Sequence, residues 1–422
     1  MRVCVVGLGK MGLPVAVRLA EGGATVTGLD VDTSVVDALN GGDLDAANEP
    51  GLSERAAAQR SAGRLRATVN AADALDGADA VVVLVRLVID AEGHPDYRNL
   101  DAATAEIGRH LRAGALVCYE TTLPVGDTRT RFAPALEALS GLRAGSDFHV
   151  CFSPERVSAG SVFRDLDTYP KLVGGVTDAC ADAGAAFYRS HLSAEVWRLS
   201  SSESAELTKI AEALYRDVNI ALANEIARFA DERGLDAGEV IRAANSQPYS
   251  SIHQPGLGVG GHCIPVYPNF FINAASDARL TSTARRLSTE MPAYGAQRLA
   301  SLLGGLQDRR VLVLGLAFRG DVREAGFSMA VPLVAALRTG GASVRVHDPV
   351  FGREGVEEQG YAWGEPGDGW AEALVLQAAH SAYRDLAPQH TPGVVAVLDG
   401  RNVLDPAPWR AAGVAFAGIG RP

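Results

Sequence analysis

Lysine is nearly absent from this chain: of 39 basic residues, three are lysines (Lys10, Lys171 and Lys209) and 36 are arginines. Cysteine is also sparse. Cys4, Cys118, Cys151, Cys180 and Cys263 are scattered over 422 residues, without the paired spacing of a zinc site or the density of a disulfide framework. Reduced thiols and no metal are expected. No charge-free apolar run is long enough to span a bilayer, which argues against membrane insertion. No basic run occurs and the net charge is −11, which argues against nucleic acid as a partner while leaving room for local basic pockets that take phosphate. The opening residues MRVCVVGLGK begin a strand and lack the regions of a secretory signal, so a cytoplasmic location is expected.

What is present fits a globular chain, 47% hydrophobic and 21% charged, long enough for two or three domains. RVCVVGLGKMG, PVAVRLAEGG and ATVTGLDVD read as strand, glycine turn with helix start, and strand. Gly7 permits the tight turn, Gly9 lets a pyrophosphate approach the backbone, and Gly12 allows close helix–strand packing. Asp30, eighteen residues beyond Gly12, is placed to bind ribose hydroxyls. An acid there favours NAD over NADP, because a 2′-phosphate would meet a carboxylate.

Further apolar runs at ADAVVVLVRLV, GALVCYETTLP and DFHVCFSPERV read as strands covered on both faces. SSSESAELTKIAEALYRDVNIALANEIARFADERG reads as one long helix, with serines as cap candidates and Gly234 as its stop. The opening order then recurs in RRVLVLGLAFRGD, SMAVPLVAALRTGG and ASVRVHDP, ending in Asp348. This predicts a second α/β domain from about residue 305 onward, with a ligand other than NAD, because its turn lacks the full glycine pattern. Cys4, Cys118 and Cys151 lie in apolar strands and read as small core residues, whereas Cys263 follows PGLGVGGH, a glycine-rich loop able to expose it to a ligand.

The stretches GLGKMGLPVA, TTLPVG, FSPER, AELTKIAEALYRDVNIALANE, PGLGVGGHCIP, GLAFRGD and DGRNVLD, in this order, resemble the UDP-glucose/GDP-mannose dehydrogenase family along essentially the whole chain. The resemblance implies an α/β fold of two Rossmann-like doubly wound domains joined by a long central helix and a helical dimerisation segment. The boundaries would be 1–198 for the NAD-binding domain, 199–300 for the central dimerisation domain and 301–422 for the nucleotide-sugar domain. It implies an NAD-dependent enzyme, a homodimer, that oxidises a sugar C6 alcohol toward the carboxylate in two steps. By resemblance Cys263 would form a thiohemiacetal and then a thioester, Lys209 would stabilise the oxyanion, and Thr122 and Glu155 would position water and move protons. In so arginine-rich a chain, lysine at 209 supplies a compact charge that a guanidinium does not. NAD would be held by Gly7, Gly9, Lys10, Met11, Gly12, Asp30, Thr121 and Glu155. The sugar nucleotide would meet Glu155, Arg156, Lys209, Tyr249, Gly260, Tyr267, Phe318, Arg319 and Arg401.

The departures from the family pattern concentrate on this site. The family reads GGHCIPVDP at the cysteine loop, and here Tyr267 replaces the aspartate that helps activate water for thioester hydrolysis. A phenol with an ordinary pKa of about 10 is a poor base at neutral pH. Ala213 replaces an asparagine four residues after Lys209, and Tyr249 replaces an arginine that reaches the substrate across the dimer. Gly326 replaces the arginine of a C-terminal motif, and Arg86-Leu87-Val88 replaces a Pro-Thr-Pro turn. These changes raise a second expectation, of a diverged enzyme that stops at the aldehyde or thioester or catalyses a non-oxidative rearrangement. A non-catalytic subunit that keeps the nucleotide sites is a third.

Overall fold

The computed structural model describes residues 1–44, 49–90, 92–158 and 160–422. The chain divides into two compact units, residues 1–212 with 269–274, and residues 213–268 with 275–422.

The first unit is built on an eight-stranded sheet. Its strands are β1 (Arg2–Val6), β2 (Thr25–Leu29), β3 (Leu65–Thr68), β4 (Ala80–Val83), β7 (Leu116–Tyr119), β8 (His149–Phe152), β9 (Lys171–Gly175) and β10 (Val196–Arg198), in the order β10-β9-β8-β7-β4-β1-β2-β3. A separate antiparallel hairpin pairs β5 (Val88–Ile89) with β6 (Pro95–Asp96). The expected strand over ADAVVVLVRLV therefore stops at Val83, and its distal part turns into this hairpin. Neighbours in the large sheet run parallel except at β8 and β9. The central strands RVCVV, AVVV and LVCY are buried over almost every residue, as strands covered on both faces must be. The order reverses between β1 and β4, the switch point at which doubly wound sheets leave a crevice beyond the strand ends.

One unbroken helix runs from Ser202 to Arg233. Ser201 caps it by accepting the Ser204 N–H at 3.1 Å, and it ends at Gly234, whose φ of +67° suits glycine.

The second unit holds a parallel five-stranded sheet, β11 (Arg310–Leu314), β12 (Ser343–His347), β13 (Ala373–Leu376), β14 (Ala396–Asp399) and β15 (Ala415–Gly418), in the order β12-β11-β13-β14-β15. The helices Arg279–Leu303 and Ala330–Thr339 supply Met291, Leu299, Leu333, Val334 and Leu337 to the core on one face. Trp409, Tyr383 and Phe416 belong to a separate core cluster with Leu312, Leu374 and Val397.

Candidate active site

In the first unit Gly7, with φ +90°, donates its N–H to the Leu29 carbonyl at 2.8 Å and turns the chain at the end of β1. A Cβ on Gly12 would lie 1.8 Å from the Gly7 carbonyl oxygen, so only glycine lets the helix Gly12–Glu21 start against that turn. A Cβ on Gly9 would meet no atom of the described residues within 4 Å. Gly9 is exposed beside a helix start whose first turn has no acidic residue. Open backbone at the positive end of a helix is the cradle a pyrophosphate requires. Asp30 accepts the Leu8 N–H at 2.6 Å and the Asp32 N–H at 3.0 Å and stays half-buried, with lone pairs left for ribose hydroxyls. Lys10 is exposed and Met11 half-buried between Gly9 and the helix. Thr121 and Thr122 follow β7, with the Thr121 N–H on the Val83 carbonyl at 3.3 Å, so they stand at the ends of β4 and β7. These residues fit NAD.

Beyond β8 lies Glu155. Its Oε1 accepts the Arg156 N–H at 2.6 Å and the Val157 N–H at 3.1 Å, and its Oε2 is 3.4 Å from Lys171 Nζ. The Arg156 guanidinium turns away to Glu212 at 2.6 Å and the Pro170 carbonyl at 3.2 Å. Lys171 is buried, 2.8 Å from Glu120 Oε2, and Tyr188 Oη donates to the other Glu120 oxygen at 2.6 Å. Burial pushes the Glu120 carboxyl up to about 7, against the charge of Lys171 and helped by that of Glu155. Burial also opposes ionisation of Glu155, but the charge of Lys171, the Arg156 N–H and the charge of Lys209 outweigh it and hold this carboxyl below its ordinary value.

Lys209 is half-buried on the long helix. Three residues before it, Glu206 accepts the Gly126 N–H at 2.5 Å, the Thr128 N–H at 2.9 Å and the Thr128 hydroxyl at 2.6 Å, which pins this part of the helix to the unit. Ala213, one turn on, is buried. The sequence reading missed Glu120, Lys171, Tyr188 and Glu206. One signal was present: Lys171, a rare lysine, heads the otherwise apolar strand KLVGG.

In the second unit Cys263 is the first residue of the helix Cys263–Ala274, so it opens a helix rather than lying within the glycine-rich loop. Pro265 disguised that start; in a first turn its missing N–H costs no helical bond. Cys263 is exposed and the other four cysteines are buried. Burial pushes Cys4 up to about 12, and the contact with Cys118 together with burial raises Cys151 well above the ordinary value, which leaves both inert. The glycines before Cys263 are required by packing. A Cβ on Gly260 would stand 2.6 Å from the Phe327 carbonyl and 2.8 Å from Phe318 Cβ, and Gly261, with φ +83°, donates to the Gly326 carbonyl at 3.0 Å. Gly260 can therefore offer a ligand only backbone.

Tyr267 lies one helical turn after Cys263, buried, with its ring edge-on to His262 at a centroid distance of 5.6 Å. Arg319 is exposed, its guanidinium 5.7 Å from the Phe318 ring. Arg401 donates to the Gln377 carbonyl and, at 3.1 Å, to the Gly258 carbonyl, while its buried Nη2 has no hydrogen-bond partner among the described residues. Burial pulls this guanidinium down to about 10. Tyr249 is 95% exposed. Arg86 is exposed, Leu87 is buried and Val88 opens β5.

Residues 1–192, 203–291 and 312–406 match the NAD binding, central and UDP binding domains of the UDP-glucose/GDP-mannose dehydrogenase family. The chain is 34% identical to the UDP-N-acetyl-D-mannosamine dehydrogenase of Pyrococcus horikoshii over 100% of its length and 99% of that protein's. A solved structure of UDP-D-ManNAc dehydrogenase from that organism superposes with a TM-score of 0.90, covering 100% of this chain and 99% of the other. The NDP-N-acetyl-D-galactosaminuronic acid dehydrogenase of Ralstonia solanacearum is 34% identical over 91% of this chain and 92% of its own. With a turn shaped for NAD at one end and the domain order matched throughout, the chain belongs to the UDP-glucose/GDP-mannose dehydrogenase family and is an NAD-dependent oxidoreductase acting on a CH–OH group.

Proposed function

We propose that this enzyme oxidises the C6 alcohol of a UDP-sugar or related NDP-sugar toward the uronate through covalent capture on Cys263. The observation that carries the reading is the contrast among the five thiols: four are buried, and Cys263 alone is exposed, at the amino-terminal end of a helix behind a packed glycine loop. Bound NAD supplies the two-electron acceptor for each oxidation. The Cys263 thiolate adds to the aldehyde carbon to give a thiohemiacetal, and water releases the acid from the thioester that follows. Lys209 supplies the charge that stabilises the oxyanion, and Thr122 and Glu155 position water and take up protons. Arg401, whose Nη2 has no partner among the described residues, supplies a donor for the substrate's phosphate. The relatives' names point to UDP- and other NDP-linked N-acetylated sugars as first substrates to try.

A homodimer is part of the proposal. Leu207, Tyr215, Leu222 and Phe229, at seven- and eight-residue spacing on the long helix, are all 42% or more exposed, an apolar stripe suited to a second copy. The exposed Tyr249 would then be available to the partner's substrate.

One observation favours a slower second half. Tyr267 sits one turn beyond Cys263 where a carboxylate would activate water, and losing a general base typically costs about 10² to 10⁴ in rate. Incubation with NAD and UDP-N-acetyl-D-mannosamine, read by NADH count and intact mass, separates the possibilities. A burst with an acyl adduct on Cys263 is expected, and Cys263→Ala should abolish both the adduct and the second NADH. Two NADH per substrate at the unaltered rate from Cys263→Ala would sink the covalent route. One NADH or none from the unaltered enzyme would favour the diverged reaction.

A further inference from the structure

Glu155 is the outer end of a buried chain of charged groups drawn from separate elements. Hydrogen bonds run from Tyr188 Oη to Glu120, from Lys171 Nζ to the other Glu120 oxygen, and from the same Nζ to Glu155 Oε2. Nζ also lies 4.9 Å from the centre of the Tyr188 ring. Two carboxylates thus share one ammonium, and with all three ionised the cluster carries a net negative charge where little water reaches it. One carboxyl must therefore hold a proton more readily. Glu120 is fully enclosed, whereas Glu155 is partly open and is supported by two backbone N–H groups. The strain falls on Glu120.

The groups that face Glu155 come from every side of it. They are Lys171 on β9, Glu120 at the end of β7 with Tyr188 behind it, Arg156 on its own segment with Glu212 across from it, and Lys209 on the long helix. Cys118 and Cys151 lie close to Tyr188. We infer that Lys171 is a positioning residue for Glu155: braced from behind by Glu120 and Tyr188, its ammonium fixes Glu155 Oε2 and keeps that side chain a carboxylate, able to accept a proton. This rests on the proposed proton-handling role of Glu155. Lysine suits the task because one compact ammonium carries three donors and serves both carboxylates at once.

The test reads carboxyl protonation directly, by infrared difference titration of the protein without substrate. The unaltered enzyme should show two enclosed carboxyls titrating at about 7, those of Glu120 and Glu206, of which Glu120→Gln removes the first and leaves the second. In Lys171→Met the Glu155 carboxyl should titrate about one to three pH units higher, a signal removed in Lys171→Met/Glu155→Gln, with Lys171→Arg intermediate. Glu120→Gln, which leaves the ammonium to Glu155 alone, should move the Glu155 signal down, and it carries the test if Lys171→Met does not fold. Carboxyl titrations in these variants that coincide with the unaltered enzyme overturn the inference whatever happens to activity. With UDP-N-acetyl-D-mannosamine as probe, the acid limb of kcat should move with the Glu155 signal. If the infrared signals move as expected while that limb stays put, positioning by Lys171 stands and the proton-handling role of Glu155 falls.

Discussion

Both units contain the same frame of strand, glycine, helix, strand and acid, and the first of them matches the family's NAD binding domain. Gly7 and Gly315 take φ of +90° and +103° and donate to Leu29 and His347 carbonyls at 2.8 and 2.7 Å. After Gly7 the helix starts at Gly12; after Gly315 the loop 316–329 intervenes before the helix Ala330–Thr339. The acids differ as much. Asp30 makes two bonds and stays half-buried. Asp348 is enclosed: one oxygen takes the Leu316 and Ala317 N–H groups and His380 Nε2, and the other takes the Val350 and Phe351 N–H groups. His380 Nδ1 accepts the Asp321 N–H, which leaves Nε2 as the donor. The shared frame is a folding device, and recognition requires in addition an open glycine, an immediate helix start and an acid with capacity to spare.

The most severe way to break the first half of this comparison is Gly12→Val. Its side chain would overlap the Gly7 carbonyl, so a loss of about 3 kcal/mol is expected, with NAD binding abolished in titration calorimetry. Normal NAD affinity in that variant would refute the assigned turn geometry.

Exchanging the acids should separate folding from binding. Asp348→Ala is expected to cost about 3 to 5 kcal/mol in urea unfolding, because it strips a buried network, with NAD affinity unchanged in the folded fraction. Asp30→Ala should leave stability nearly intact, weaken NAD roughly tenfold and narrow its advantage over NADP. The acid at 348 also predicts a pH dependence. Burial opposes its ionisation, but the His380 hydrogen bond and the Ala317 N–H outweigh it and hold the carboxyl down to about 2. Its contribution is therefore complete above the unfolded value near 4 and is lost as pH falls toward 2, a change on the order of 2 kcal/mol. Unfolding midpoints measured from pH 5 downward should fall more steeply for the unaltered protein than for Asp348→Asn.

Gly9→Ala is the mildest change. Its Cβ meets no atom of the described residues within 4 Å and its φ lies outside the left-handed region, so stability should move by less than about 1 kcal/mol. NAD affinity should nonetheless drop. A fall in both together would mean that the open space belongs to the fold and not to the cofactor.

The sequence disclosed whatever repeats at short range. Gly7, Gly12 and Gly234 announce turns and a helix end because only glycine relieves the strain or overlap there; the first α/β frame followed from Gly7 and Gly12, and the second from the recurrence of the same order after residue 305. The strand limits were less legible, since ADAVVVLVRLV stays apolar where β4 has already ended. The helix at Cys263 was hidden by two prolines that ordinarily signal its opposite. The brace behind Glu155 was out of reach, because residues 120, 155, 171 and 188 share no period and meet only through the order of the strands and the packing of the helix Asp178–His191.

The scarcity of lysine has a practical consequence. Lys10 is exposed at the cofactor turn, Lys209 is half-buried on the long helix, and Lys171 is buried against two glutamates. Reductive methylation with isotopically labelled formaldehyde would therefore tag at most three side-chain amines and the chain terminus. The exposed and half-buried tags would report on the cofactor turn and the proposed oxyanion site, and resistance at the third would report that the enclosed cluster is intact. In this protein amine labelling is a built-in spectroscopic probe of the functional centre, obtained without a single substitution.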